Sequence, residues 1–146
     1  MENEFIPYEQ ALELKELEFN ENCLARFDGG GFRMLPVYDP LKNNEVKESW
    51  FCVTPLYQQA FRWFREKYGI YIKIDLAKSC GYGLNEAFYY NIKIPIDQIR
   101  FDEITNIRND KEELFQDWIN KKANKTYEEA ELKCLKKLIE IVKNKL

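Results

Sequence analysis

Residues 126–146 read TYEEAELKCLKKLIEIVKNKL, and the spacing of the apolar residues makes this stretch a helix that must be covered. Thr126 as N-cap with Glu129 three residues on forms a capping box, each side chain reaching a backbone N–H that the first turn leaves unpaired. Leu132, Leu135, Ile139, Val142 and Leu146 recur at spacings of three and four, and Ala130, Cys134, Leu138 and Ile141 make a second apolar row beside them. Lys133, Lys136, Lys137 and Lys143 take the opposite side, while Glu128, Glu129 and Glu131 gather at the N-terminal end, as the macrodipole favours. The stripe spans under three heptads, short of a sustained coiled-coil seam, so packing on a sheet of the same domain is the expected use of this face.

A second helix with marked ends lies at residues 55–68, PLYQQAFRWFREKY. Thr54 reads as its N-cap, Pro55 as N1 and Gly69 as the C′ residue able to turn left-handed. Tyr57, Ala60, Phe61, Phe64 and Tyr68 make the inner stripe with Leu56 and Trp63 flanking it, and Gln58, Gln59, Arg62, Arg65 and Glu66 face out. A shorter acidic helix is expected over residues 7–17, with Pro7 near N1. Between the two, CLARFD (23–28) and FRMLPV (32–37) flank Asp28-Gly29-Gly30-Gly31, and Asp-Gly between alternating segments signals a β-hairpin. Residues 38–49, with Pro40 and Asn43-Asn44, read as a loop. After Gly69, IYIKIDL (70–76) and AFYYNIKI (87–94) alternate as paired antiparallel strands around a glycine-containing connector at 79–85. Residues 96–107 are expected to continue the sheet and residues 110–122 to form a helix with Leu114, Phe115, Trp118 and Ile119 on one side. Together these elements predict an α+β fold: an antiparallel sheet built from hairpins, covered by three to four helices, in a single domain over residues 1–146.

Bulk properties narrow the function classes. A chain of 146 residues with 45% hydrophobic and 15% aromatic content is long enough for a self-sufficient core, and its 32% charge solvates the surface. No apolar run approaches a membrane span, and MENEFIPYEQ is acidic where a signal peptide is basic, so a cytoplasmic protein with no membrane partner is expected. Cys23, Cys52, Cys80 and Cys134 are separated by 29, 28 and 54 positions, with no CxxC and no histidine, which favours buried or idle thiols over a metal or disulfide set. The net charge of −3 hides a gradient. Residues 1–21 carry seven Glu and one Lys, hence −6, and residues 121–146 carry eight Lys and four Glu, hence +4. The two ends could attract each other or form solvated faces.

The absence of histidine removes the commonest general base and transition-metal ligand together, and neither Ser49 nor Ser79 sits in a nucleophile motif. Gly29–Gly31 lie between strands, where a plain turn is expected and a phosphate cradle is not. Adjacent acids such as Asp102 with Glu103, or Glu112 with Glu113, converge on no site, and no base accompanies Cys80 in its loop. The chain is therefore read as a non-enzyme with no catalytic, metal or cofactor residues and no cofactor. Arg62, Trp63 and Arg65, and on the hairpin Arg26, Phe27, Phe32 and Arg33, interleave cations with stacking surfaces, yet a pI near 5.2 disfavours a phosphate binder.

The stretches PLYQQAFRWFREKYG (55–69) and TYEEAELKCLKKLIEIVKNK (126–145), with FIPYEQALELKELEF (5–19) and CLARFD (23–28), resemble a small uncharacterised protein family encoded in phages and prophages of Bacteroidota. The resemblance covers the two helices best, the N-terminal third loosely, and residues 95–125 least, where the chain carries an insertion. It implies no assigned activity and no site residues. A phage setting implies an accessory protein that binds a host protein in the host cytosol, an anti-defence inhibitor of a complex such as a CRISPR effector being one form. The alternatives are a nucleic-acid-binding accessory protein using the Arg62/Arg65 face, and a structural or virion-associated protein. The candidate interaction residues are Arg62, Trp63, Arg65, Tyr82 and Trp118, since Tyr, Trp and Arg are the usual interface anchors. Monomer and homodimer are both open.

Overall fold

The computed structural model describes residues 2–77, 87–94, 115–116, 124 and 126–145. Among them run α1 (Tyr8–Glu16), β1 (Ala25–Asp28), β2 (Gly31–Met34), β3 (Cys52–Val53), α2 (Tyr57–Tyr68), β4 (Tyr71–Ala77), β5 (Ala87–Lys93), β6 (Phe115–Gln116) and α3 (Tyr127–Lys145). The fold is α+β as the sequence predicts, with antiparallel strands grouped in two sheets, β2-β1-β3 and β4-β5-β6. The chain divides into two compact units, Met1–Ala60 with Leu135–Leu146, and Phe61–Cys134.

In the first unit, α1 buries Gln10, Ala11 and Leu14 and ends in a reversal at Glu18, which adopts φ 65°. Glu18 N donates to Lys15 O at 3.0 Å and Phe19 N to Leu14 O at 2.9 Å, the paired bonds of a Schellman motif, with fully buried Phe19 and Leu14 as its apolar contact. The hairpin forms as expected, Asp28 opposite Gly31. Its positive φ falls on Gly31, at 95°, and not on the Asp-Gly step: the left-handed residue follows the two loop residues and starts β2. Strand β3 was not anticipated, because two residues are too short to alternate. It pairs with β1 through Arg26↔Val53 and Phe27↔Cys52.

Thr54 corrects the expected N-cap of α2. Its buried hydroxyl donates to Ile6 O at 2.6 Å, Ile6 N donates to Pro55 O at 3.0 Å, and Phe5 pairs with Leu56. The chain just before α1 thus claims Thr54, and the helix opens with Leu56 O accepting from Ala60 N at 3.1 Å. At the other end, Gly69 takes φ 66° and donates to Arg65 O at 2.9 Å, the predicted left-handed stop.

In α3 both apolar rows are buried at Ala130, Cys134, Leu135, Leu138, Ile139, Ile141 and Val142, and Thr126 Oγ1 accepts from Glu129 N at 3.1 Å. Glu131, one of the three acids at the N-terminal end, is buried. Lys143 Nζ reaches Glu13 Oε2 at 2.9 Å and Glu16 Oε2 at 3.0 Å, so the acidic and basic ends of the chain do meet.

The second unit holds β4 and β5 paired along their length from Tyr71↔Lys93. Phe115 and Gln116 lie in β6 opposite Ile92 and Asn91, which corrects the helix expected over residues 110–122 at these two positions. Backbone pairing with β5 prevails there over the local helical pattern. The rest of that helix, the strand expected over 96–107 and the connector at 79–85 lie outside the described residues.

Candidate interaction surface

The β2-β1-β3 sheet alternates its side chains cleanly. Phe27 opposite Phe32 and Ala25 opposite Met34 share one face; Arg26 opposite Arg33 and Asp28 opposite Gly31 share the other. The hairpin aromatics stack among themselves and their neighbours: Phe27–Phe32 at 5.7 Å, Phe5–Phe32 at 5.3 Å and Tyr8–Phe27 at 5.4 Å between ring centroids. On the opposite face, Asp28 receives Arg26 at 3.3 Å, Arg33 Nε at 3.2 Å, and the Gly30 N–H at 2.8 Å. The Gly30 hydrogen bond, then the two guanidinium groups, hold the Asp28 carboxyl below its ordinary pKa. Arginines and aromatics that interleave in sequence are therefore separated by the sheet.

The two edges of this sheet differ. Leu35 N donates to Leu24 O at 2.7 Å and Thr54 N to Ala25 O at 2.9 Å, which sets the parity of both ladders. Leu24, Arg26 and Asp28 turn their N–H and C=O groups toward β2, and Ala25 and Phe27 turn theirs toward β3. On the β3 side the outward N–H of Val53 is taken at 3.1 Å by Oδ1 of buried Asn43, whose Nδ2 donates to Phe19 O at 2.8 Å. On the β2 side, Phe32 and Met34 point their backbone groups away from β1, and no residue among those described takes them.

Large apolar side chains stand out around this hairpin. Tyr38 is 91% exposed and Val37 79%, both in the turn closed by Asp39 N to Pro36 O at 3.0 Å; Met34 is about half exposed. Trp50 is 51% exposed, with its ring beside Gly29 at the hairpin tip. Its loop is fastened to α1: Tyr8 Oη donates to Trp50 O at 2.9 Å, and Lys15 Nζ to Glu48 O at 2.7 Å and Phe51 O at 2.6 Å. A display loop tied at three carbonyls is a positioned feature.

Of the residues singled out from sequence, Arg62 and Arg65 are exposed on α2, but Trp63 is only 7% exposed. Its ring packs on Phe64 at 5.0 Å and Tyr68 at 5.4 Å, with Lys67 Nζ 4.9 Å over it. The helix thus presents the two arginines without the tryptophan between them. Tyr82 and Trp118 lie outside the described residues. Sequence reasoning passed over Met34, Val37, Tyr38 and Trp50; the readable signal was an apolar pair bracketed by Pro36 and Pro40, unable to extend the strand.

Cys23 and Cys52 are buried, and burial pushes their thiols up to about 12 and about 11. Among the described residues, no group of three or more Cys, Asp or Glu could hold a metal ion, and no helix is long and apolar enough to cross a membrane. The sequence matches no protein-family model, and no curated protein and no solved structure matches it.

Proposed function

We propose that this chain is a non-enzymatic accessory protein that acts by binding another protein through the surface around the β1–β2 hairpin. The observation that carries this reading is the pair Val37–Tyr38, standing almost wholly in solvent beside a half-exposed Met34, with Trp50 held outward nearby. Exposing large apolar side chains in one region costs solubility and is a mark of interaction sites; Tyr and Trp are the residues that most often anchor them. Thiols that stay protonated at neutral pH support a non-catalytic role. The phage resemblance directs the search to host cytosolic proteins, and inhibition of a host defence complex is the biological role we propose. The nucleic-acid alternative has less support, since Trp63 is committed to packing and the hairpin arginines are tied to Asp28 on the face away from Phe27 and Phe32.

The test is quantitative affinity capture from Bacteroidota lysate, with and without nuclease, comparing the wild type with a Val37→Ser/Tyr38→Ser/Trp50→Ser variant of matched thermal stability. One host protein recovered in near-equal amounts in both wild-type samples and lost with the variant is the expected result. Recovery that the variant retains, or that nuclease abolishes, removes the reading.

A further inference from the structure

The two sheet edges of the first unit are treated oppositely. Beyond β3, the outward N–H of Val53 is closed off by a buried side chain whose other end is also anchored. Beyond β2, the N–H and C=O groups of Phe32 and Met34 are left for something else among the described residues. The open run is short and bounded: Gly30 N is already given to Asp28 Oδ1 at 2.8 Å, and Pro36, the next outward position, has no N–H. We propose that the β2 edge docks an extended segment of a partner protein as a fourth strand, and that this segment carries an acidic residue flanked on each side by apolar ones. This rests on the protein-binding reading above and names its mode.

The register dictates the pattern. With Phe32 and Met34 forming the hydrogen-bonded pairs, the incoming residue opposite Arg33 occupies a non-hydrogen-bonded pair, where Cα atoms approach to about 4.5 Å and side chains interact most strongly. The Arg33 side chain is 58% exposed, and the Arg26–Asp28–Arg33 cluster carries one net positive charge, so an acid is favoured there. Residues opposite Phe32 and Met34 fall on the aromatic face, where apolar side chains extend the Phe5–Phe32–Phe27 stack. A second copy of β2 fits badly. Pairing Phe32 with Met34 of the copy sets Arg33 against Arg33, and like charges directly opposed destabilise a ladder. Pairing Phe32 with its equivalent sets Met34 against Gly30, whose N–H is committed. The same Arg33 and Pro36 that would blunt self-pairing leave an acidic strand admissible.

The test is selection of a displayed library of random dodecapeptides on three baits: the wild type, Met34→Pro and Arg33→Glu. Met34→Pro deletes an N–H that no ladder bond of the fold uses, so the bait stays folded while the docked strand loses a bond; binding of selected peptides falls about tenfold or more. Arg33→Glu selects basic residues at the central position. Wild-type enrichment of apolar–acidic–apolar peptides, protected by these rules, supports the proposal. No enrichment, equal binding to Met34→Pro, an unchanged preference with Arg33→Glu, or self-association of the wild type in light scattering overturns it. If peptides instead bind in a way abolished only by Val37→Ser/Tyr38→Ser/Trp50→Ser, strand addition fails while the protein-binding reading stands.

Discussion

Replacing Asn43 tests the packing logic of the first unit at a buried side chain that joins two segments. Asn43 is buried, donates from Nδ2 to Phe19 O at 2.8 Å and accepts at Oδ1 from Val53 N at 3.1 Å, so one side chain ties the segment after α1 to β3. Asn43→Ala strands the interior Val53 N–H, at roughly 1–3 kcal/mol, and deletes the hydrogen bond to Phe19 O, at roughly 0.5–1.5 kcal/mol, so the loss comes to about 3 kcal/mol. For a chain this size that corresponds to a fall in Tm of roughly 6–12 °C, measurable by circular dichroism and by urea titration. Asn43→Asp is the sharper variant because it keeps the shape. Its carboxylate accepts from Val53 but opposes the Phe19 carbonyl, whereas the protonated acid donates to it. The folded-state pKa of that Asp is therefore raised above its unfolded value of about 4, so the variant is most stable below that value and loses stability as pH rises toward the folded pKa. A loss under about 1 kcal/mol for Asn43→Ala, or a pH-independent loss for Asn43→Asp, would mean that these two hydrogen bonds do not hold the segment after α1 to β3.

Three further perturbations follow from single observations. Burial, then Glu128, pushes the Glu131 carboxyl up to about 7, so its charge opposes folding: the penalty is absent below the unfolded pKa, grows as pH rises through about 7, and persists above it. Glu131→Gln is expected to stabilise the protein by about 1–2 kcal/mol at pH above 7 and to change little in acid, a pH series of Tm being the check. Glu18 holds φ 65° at the C′ position of α1; Glu18→Gly is expected to raise stability by roughly 0.5–1 kcal/mol in urea titration, and a loss would show that its side chain outweighs the strain. Hydrogen bonds to Glu13 and then Glu16 raise the Lys143 pKa, so this contribution is present below the unfolded lysine value and lost as pH rises through the folded one. Lys143→Met should cost about 0.5–1 kcal/mol at low salt and much less at high salt, where screening has already removed most of the pair.

Helices were legible because their signals are local and redundant. In α3 the two apolar rows, the Thr126 cap and the lysine face agree, and burial of Leu135, Leu138, Ile139 and Val142 follows. Gly69 similarly marks its left-handed stop in plain letters. What sequence could not reveal is long-range pairing. Thr54 looks like a cap until Ile6 arrives to use its hydroxyl, and Cys52–Val53 become a strand only because β1 lies beside them. Glu131 sits among acids at a helix start, and its burial depends on neighbours that the helix pattern does not name. The candidate site suffered the same limit. Hydrophobic content flags Trp63 as readily as Trp50, but only the fold distinguishes the ring packed under Lys67 from the ring held out beside Gly29. The open edge is less visible still, since it depends on ladder parity, a property of paired strands and not of either alone.

Residue-resolved amide hydrogen exchange across the hairpin reads the occupancy of each sheet edge amide by amide. An alternation is expected in the free protein: Arg33, Leu35 and Val53 protected, Phe32 and Met34 exchanging as solvent-exposed amides, and the last two becoming protected once a partner strand is bound. Protection of Phe32 and Met34 in the free monomer would contradict it, because the edge would then already be occupied.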